Sequence, residues 1–211
     1  MCLYCFDVLL KELKKRRVLT VSPEFLHRPD LECPLFVTWD KRKGNMFPGQ
    51  YGLRGCIGTL SPKPLSTAIA EYALVAALKD RRFDPINTSE VRDLRVGVSL
   101  LVNYEECSHV HDWEVGVHGI IIKFFDSGTE YSATYLPEVA KEQGWNQQEA
   151  VKSLIRKAGF RGPLMEAFIT KIQCTRYQSS KYRVTYQDYV DSLGLDPLGE
   201  EDNRKRWCLT L

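Results

Sequence analysis

The stretch Leu53-Arg54-Gly55-Cys56-Ile57-Gly58-Thr59 holds the residues with the clearest capacity for chemistry. Read as a strand, its side chains alternate between two faces. Leu53 and Ile57 then point one way, into a core, and Arg54, Cys56 and Gly58 point the other way. A guanidinium two residues from a thiol on one face favours the thiolate, the nucleophilic form. Gly58 leaves a gap beside Cys56 where a ligand or another backbone fits, and Gly55 relaxes the backbone between Arg54 and Cys56. A second polar face follows in Trp113-Glu114-Val115-Gly116-Val117-His118-Gly119, where Glu114, Gly116 and His118 fall together. Thiol, imidazole and carboxylate are the parts of a cysteine-nucleophile site in which a third group orients the base. The competing readings are structural. Cys56 is then a small core residue with Arg54 paired to a carboxylate, and His118-Gly119 is the tight turn of a hairpin.

Asp80 and Arg82 sit in Asp80-Arg81-Arg82-Phe83, just after a helix C-terminus. As a buried pair they hold a loop. As a ligand site, Arg82 grips a carboxylate or phosphate with two donors, and Arg54 with Arg82 makes an anion site. No Gly-x-Gly-x-x-Gly, Walker or Gly-x-Ser-x-Gly pattern is present, so neither a nucleotide nor any other cofactor is expected. His109 and His111 stand one residue apart among only four histidines, too few partners for a metal site. Cys2 and Cys5 have Cys-x-x-Cys spacing but no strand-turn-helix context and no second ligand pair, so they read as one face of a helix.

The block Leu53–Gly58 resembles the signature of the AMMECR domain family. Further blocks agree in the family's order: Pro34–Trp39, Ala77–Phe83, Val98–Leu101, Trp113–Gly119 and Thr134–Ala140. The resemblance runs from about Leu3 to about Leu193. It implies a two-lobed α+β domain with a cleft between the lobes and brings no settled activity with it. Prokaryotic members can be fused to, or encoded beside, Memo-like and radical-SAM proteins, which implies an enzymatic setting by association. Family members in nuclei make the cytoplasm and the nucleus the expected compartments.

Composition and periodicity supply the frame that must position these residues. A chain of 211 residues with 44% hydrophobic content suits one domain with a sizeable core. A net charge of +2 gives no global field for nucleic acid. Seven scattered cysteines suit free thiols in a reducing compartment, and no apolar run reaches the roughly 20 residues of a membrane helix. The first residues lack the basic start of a signal peptide. Leu3, Phe6, Leu9, Leu10 and Leu13 predict an opening helix, closed by the cations of Lys14-Lys15-Arg16-Arg17. Leu35–Trp39 reads as a strand, Asp40–Gly52 as a surface loop, and Leu65 to about Lys79 as an alanine-rich helix. Arg95–Tyr104 is the clearest strand. Val115–Ile122 reads as a hairpin, and Thr129–Tyr135 as a strand after the Asp126-Ser127-Gly128 turn. Asn146 caps a helix that ends at Gly159, and Tyr186–Leu193 is a last helix. Helices between strands with frequent hairpin signals predict an α+β fold, with a mixed, largely antiparallel sheet flanked by helices.

Residues 1–193 are expected to form the domain and residues 194–211 a flexible tail. The tail ends in Arg204-Lys205-Arg206-Trp207-Cys208-Leu209-Thr210-Leu211. Cys208 fits a prenylation pattern, and the final leucine points to geranylgeranyl. With the upstream cations it would tether the domain to a membrane surface. Three function classes follow. The first is an enzyme, or an enzyme-like small-molecule binder, that uses a cleft beside Cys56 and whose reaction class the sequence leaves open. The second is a non-catalytic adaptor with a protein partner. The third is a nucleic-acid-associated regulator, resting only on short basic runs without a convincing site.

Overall fold

Residues 1–14, 23–44 and 49–199 are described by the computed structural model. The strands are β1 (Glu32–Arg42), β2 (Tyr51–Pro64), β3 (Leu94–Glu106), β4 (Gly119–Asp126), β5 (Thr129–Tyr135) and β6 (Gln173–Thr185). The helices are α1 (Cys2–Lys14), α2 (Leu65–Leu78), α3 (Pro137–Glu142), α4 (Gln147–Lys157), α5 (Glu166–Ile169) and α6 (Tyr186–Leu193), with short 3-10 turns at Glu24–His27 and Thr88–Asp93. The sheet order is β2-β1-β3-β6-β4-β5, antiparallel at β1 with β2 and β3 and at β4 with β5 and β6. The fold is α+β, as the element pattern predicts. The chain divides into two compact units, Met1–Leu100 with Lys181–Leu211, and Leu101–Ser180.

In the first unit one sheet face carries Leu35, Val37 and Trp39 of β1 and Val96 and Val98 of β3, all buried. Helix α1 supplies Cys5, Phe6, Leu9 and Leu10 to the same core, α2 supplies Ala68, Ile69, Ala73 and Ala76, and α6 supplies Tyr189. Cys2 and Cys5 are both buried, so their spacing is a helix-face repeat. The alanines let α2 lie close to the sheet. Trp39 Nε1 donates to the Ala73 carbonyl at 2.9 Å, and a side chain at Gly55 would run into the Ala76 carbonyl oxygen. The Tyr189 hydroxyl donates to Asp7 Oδ1 at 2.6 Å inside this core. Burial pushes the Asp7 carboxyl up to about 6, against the opposing pull of that hydrogen bond.

Three expectations for this unit need correction. Residues Asp40–Arg42 and Tyr51–Gly52 belong to β1 and β2, so the loop is shorter than Asp40–Gly52. Leu53 is 47% exposed rather than in the core. The register runs from Trp39 opposite Gly55 to Asp40 opposite Leu53, which leaves Arg54 as the extra residue of a β-bulge. A bulge breaks the two-residue alternation and re-aims its own side chain, so Leu53 leaves the face of Ile57. Finally, Gly194–Gly199 does not start a loose tail. Asp196 accepts from the Tyr186 hydroxyl and from Arg92, and Leu198 packs on the core. Arg16, Arg17 and the Arg204–Leu211 segment with Cys208 lie outside the described residues.

The second unit packs α4 on the β4–β5 hairpin, burying Ala150, Val151, Leu154 and Ile155 with Ile120, Ile122 and Phe124. Asn146 caps α4 with Glu149 as its reciprocal partner. The hairpin expected at His118-Gly119 is absent. Val115–Val117 form a turn and β4 starts at Gly119, paired with β5 and β6. The N–H groups of Val117 and His118 both donate to the Glu114 carbonyl. With those groups closing a local turn, no ladder can form before Gly119. Among the described residues no helix is long and apolar enough to cross a membrane.

The close approach of α2 to β2 gives a direct test. Gly55→Ala places a methyl group against backbone that has no rotamer with which to yield. A loss of more than about 2 kcal/mol is expected in urea denaturation, whereas Gly44→Ala, in open space at a left-handed position, should cost about 1 kcal/mol.

Candidate functional site

Cys56 lies in an edge strand, bonded to β1 on one side only. Its outward backbone groups are met by Asp80 and Arg82, just past the end of α2. The Cys56 N–H donates to Asp80 Oδ2 at 2.9 Å, and Arg82 Nη2 donates to the Cys56 carbonyl at 3.0 Å. Arg82 also grips Asp80 with two side-chain donors, Nε at 2.9 Å and Nη2 at 2.6 Å, and with its backbone N–H at 3.2 Å. The Asp80 side chain is only 4% exposed. The Arg82 hydrogen bonds outweigh burial and, with the Cys56 N–H, hold its carboxyl far below the usual carboxylate range. The Ala77–Phe83 segment therefore works as a clamp on the edge of β2.

The Cys56 side chain points to the opposite environment. Its cross-strand neighbour is Thr38, and Sγ lies 3.2 Å from Thr38 Oγ1. Burial pushes the thiol up, against the Thr38 hydrogen bond and the charges of Arg82 and Lys181. This environment works against the thiolate expected from a neighbouring Arg54. Nor is there a gap beside Gly58, because the Phe36 ring and the Leu35 carbonyl occupy the space a side chain would take.

Arg54, the bulged residue, is turned away from Cys56 and is only 14% exposed. Its Nε and Nη2 grip Glu90 at 3.1 and 2.9 Å, and Nη1 donates to the Asp84 carbonyl at 2.6 Å. Lys41 Nζ adds a bond to Glu90 at 2.9 Å, and the Asn87 N–H another at 3.0 Å. Burial pushes the Glu90 carboxyl up, but the bonds from Arg54, Lys41 and Asn87 together pull it down to about 2. Glu90 closes a capping box with Asn87. The Asn87-x-x-Glu90 spacing was the sequence signal that could have identified it.

These groups surround a cavity of about 580 Å³, lined by Lys41, Arg54, Arg81, Arg82, Asp84 and Glu90 among others. All of its lining belongs to the first unit. Four cations face two carboxylates there, and one of these, Glu90, is already saturated. Arg81 has no carboxylate partner among the described residues. Arg82 is 56% exposed and lies near the Phe83 ring, 5.5 Å from its centroid. Arg54 and Arg82 both line this cavity, whereas Cys56 is not among its lining residues. Lys41, Arg81, Asp84 and Glu90 are members that sequence reasoning missed.

Glu114 and His118 belong to the second unit. There the His118 Nδ1 accepts from the Glu114 N–H at 3.1 Å, a contact internal to the turn. The hydrogen-bond partner of the Cys56 thiol among the described residues is Thr38, not an imidazole. His111 N–H donates to His109 Nδ1, and among the described residues no group of three or more His, Cys, Asp or Glu is placed to hold a metal ion.

A family model described as AMMECR1 matches residues 2–182. An uncharacterized protein of Arabidopsis thaliana is 44% identical over 192 residues, covering 90% of this chain and 86% of the relative. One of Schizosaccharomyces pombe is 41% identical over 195 residues, covering 92% and 96%. The crystal structure of an uncharacterized protein from Pyrococcus horikoshii aligns with a TM-score of 0.64 at 25% identity, over 86% of this chain and 87% of that one.

Two outcomes follow from the charges. Glu90 has its carboxyl depressed in the folded state, so its contribution is present above its ordinary value of 4.5 and is lost as pH falls toward about 2. Glu90→Gln should flatten the stability curve over that window and cost about 3 kcal/mol at pH 7, by leaving Arg54 and Lys41 unpaired. Denaturant melts at pH 7, 4 and 3 measure both effects. Iodoacetamide at neutral pH should modify Cys56 more slowly than an unstructured thiol of pKa about 8.5. Faster modification would mean that the thiol is activated after all.

Proposed function

The chain belongs to the AMMECR1 family, and on that premise we propose that its first unit binds a small anionic ligand, carrying a carboxylate or phosphate group, in the arginine-lined cavity. The observation that carries this reading is Arg81, a cation on the cavity wall without a carboxylate partner among the described residues, beside the half-exposed Arg82. Guanidinium groups present paired donors that match carboxylate and phosphate oxygens. Arg82 uses Nε and Nη2 on Asp80 and Cys56, and its Nη1 has no partner among the described residues. Glu90 locks Arg54 and Lys41 in place, so their charge adds to the field without the entropy loss of ordering them on binding.

Cys56 contributes through its backbone, by fixing Asp80 and Arg82. A protonated thiol without a base beside it supports binding rather than nucleophilic catalysis. A polar cavity supports a small charged ligand over the apolar groove that an adaptor would offer a protein partner.

Calorimetric titration of the full chain with inorganic phosphate and with small mono- and dicarboxylates tests the reading. Binding should weaken with salt. Arg81→Ala should lower affinity about tenfold, equal to about 1.4 kcal/mol, while leaving the unfolding midpoint in place. Equal affinity for Arg81→Ala and the parent chain, or no binding of either anion class, would overturn it.

A further inference from the structure

Two cysteines lie side by side in the second unit. Cys174 lies in β6 opposite Ile122 of β4 and is buried. Cys107 directly follows β3 and is half-buried against the same core. The Cys107 N–H donates to the Cys174 carbonyl at 2.9 Å. That one bond keeps the two Cα atoms within roughly 7 Å, the span of a disulfide. The two side chains are close enough for each to perturb the other's titration. Both cysteines line a cavity of about 240 Å³ that Lys123 and Gln173 also border. Two small apolar residues packed for volume alone would not need to meet at the wall of a cavity.

We infer that Cys107 and Cys174 form a dithiol site that closes to a disulfide by exchange with a small-molecule disulfide of the glutathione type. The Cys107 thiolate, the more accessible of the two, attacks one sulfur of the incoming disulfide. A mixed disulfide forms at Cys107 and one small thiol leaves. The Cys174 sulfur, losing its proton to solvent, then attacks the Cys107 sulfur and expels the second small thiol. One protein disulfide and two small thiols result, so the protein loses two hydrogens and the small disulfide gains them. Burial pushes both thiols up from their ordinary value. Cys174 is pushed further by the neighbouring Cys107, whereas the Cys174 side chain partly offsets the rise at Cys107. That difference makes Cys107 the entering sulfur, and the exchange should accelerate as pH rises from 7 to 9.

The test is incubation of the full chain with oxidised glutathione, followed by alkylation and peptide mass mapping. Two of the seven thiols should be lost together, with a cross-linked peptide pair containing Cys107 and Cys174. The cross-linked chain should unfold at a higher temperature than the reduced one. Cys174→Ala should trap a stable glutathione adduct on Cys107, and Cys107→Ser should leave Cys174 alkylatable after the same treatment. Circular dichroism establishes that each variant is folded before its result is read. Two of the overturning outcomes are read on the parent chain alone. A persistent glutathione adduct with no cross-link, oxidation of Cys174 unchanged by Cys107→Ser, or both thiols left fully alkylatable would each overturn the inference.

Discussion

An edge strand leaves a row of backbone N–H and C=O groups with no strand to bond them. In β2 this need is met at Cys56 by a buried carboxylate and a guanidinium, and much of the first unit is arranged around that solution. Asp80 takes the N–H and Arg82 takes the carbonyl. Neither stands alone: a carboxylate at 4% exposure would be costly without the donors that Arg82 supplies. The pair sits immediately beyond α2, so the helix must end in register with the strand. The Ala76 carbonyl against Gly55 and the Ala73 carbonyl on Trp39 set that register from the other side. Helix, edge strand and clamp are therefore one mechanical unit.

A second buried carboxylate divides the labour among the cations. Glu90 is saturated by Arg54, Lys41 and the Asn87 N–H, so those two cations are held in fixed positions. Arg82 is half committed to the clamp, and Arg81 has no carboxylate partner among the described residues. The result is a graded set of positive charge around one cavity, with its structural members locked and its outer members available. In the reading proposed above, an anion would meet Arg54 and Lys41 already ordered, so that Arg81 and Arg82 alone would lose side-chain freedom at binding. The same division of cations leaves the Cys56 thiol with little to favour its charged form. The cation nearest in sequence, Arg54, is drawn off by Glu90, and burial governs the sulfur.

Much of this was legible in the chain itself. The helical spacing of Phe6, Leu9 and Leu10, the alanines of α2, the alternation of Val96 and Val98, and the Asn146 cap follow from local periodicity and capping chemistry. That Arg54 and Arg82 would pair with carboxylates also followed from residue type, and they meet Glu90 and Asp80. The errors at Leu53 and Arg54 have one origin. A single extra residue at Arg54 reversed the facing of Leu53 and removed the guanidinium from the thiol, and nothing in Leu53-Arg54-Gly55 announces a bulge. His118 failed for a related reason. Its ring closes a turn on Glu114, which a strand reading cannot foresee.

By itself, the sequence determined the family resemblance, most of the helices and strands, the α+β class and the residue types capable of gripping an anion. These depend on local spacing and on side-chain chemistry. Only the tertiary structure decided which carboxylate each cation meets, that Phe36 fills the space at Gly58, and that Cys107 and Cys174 share a wall. Those outcomes depend on strand register and on contacts between residues far apart in the chain. Register shifts by one residue at a bulge, and every facing beyond it changes with it.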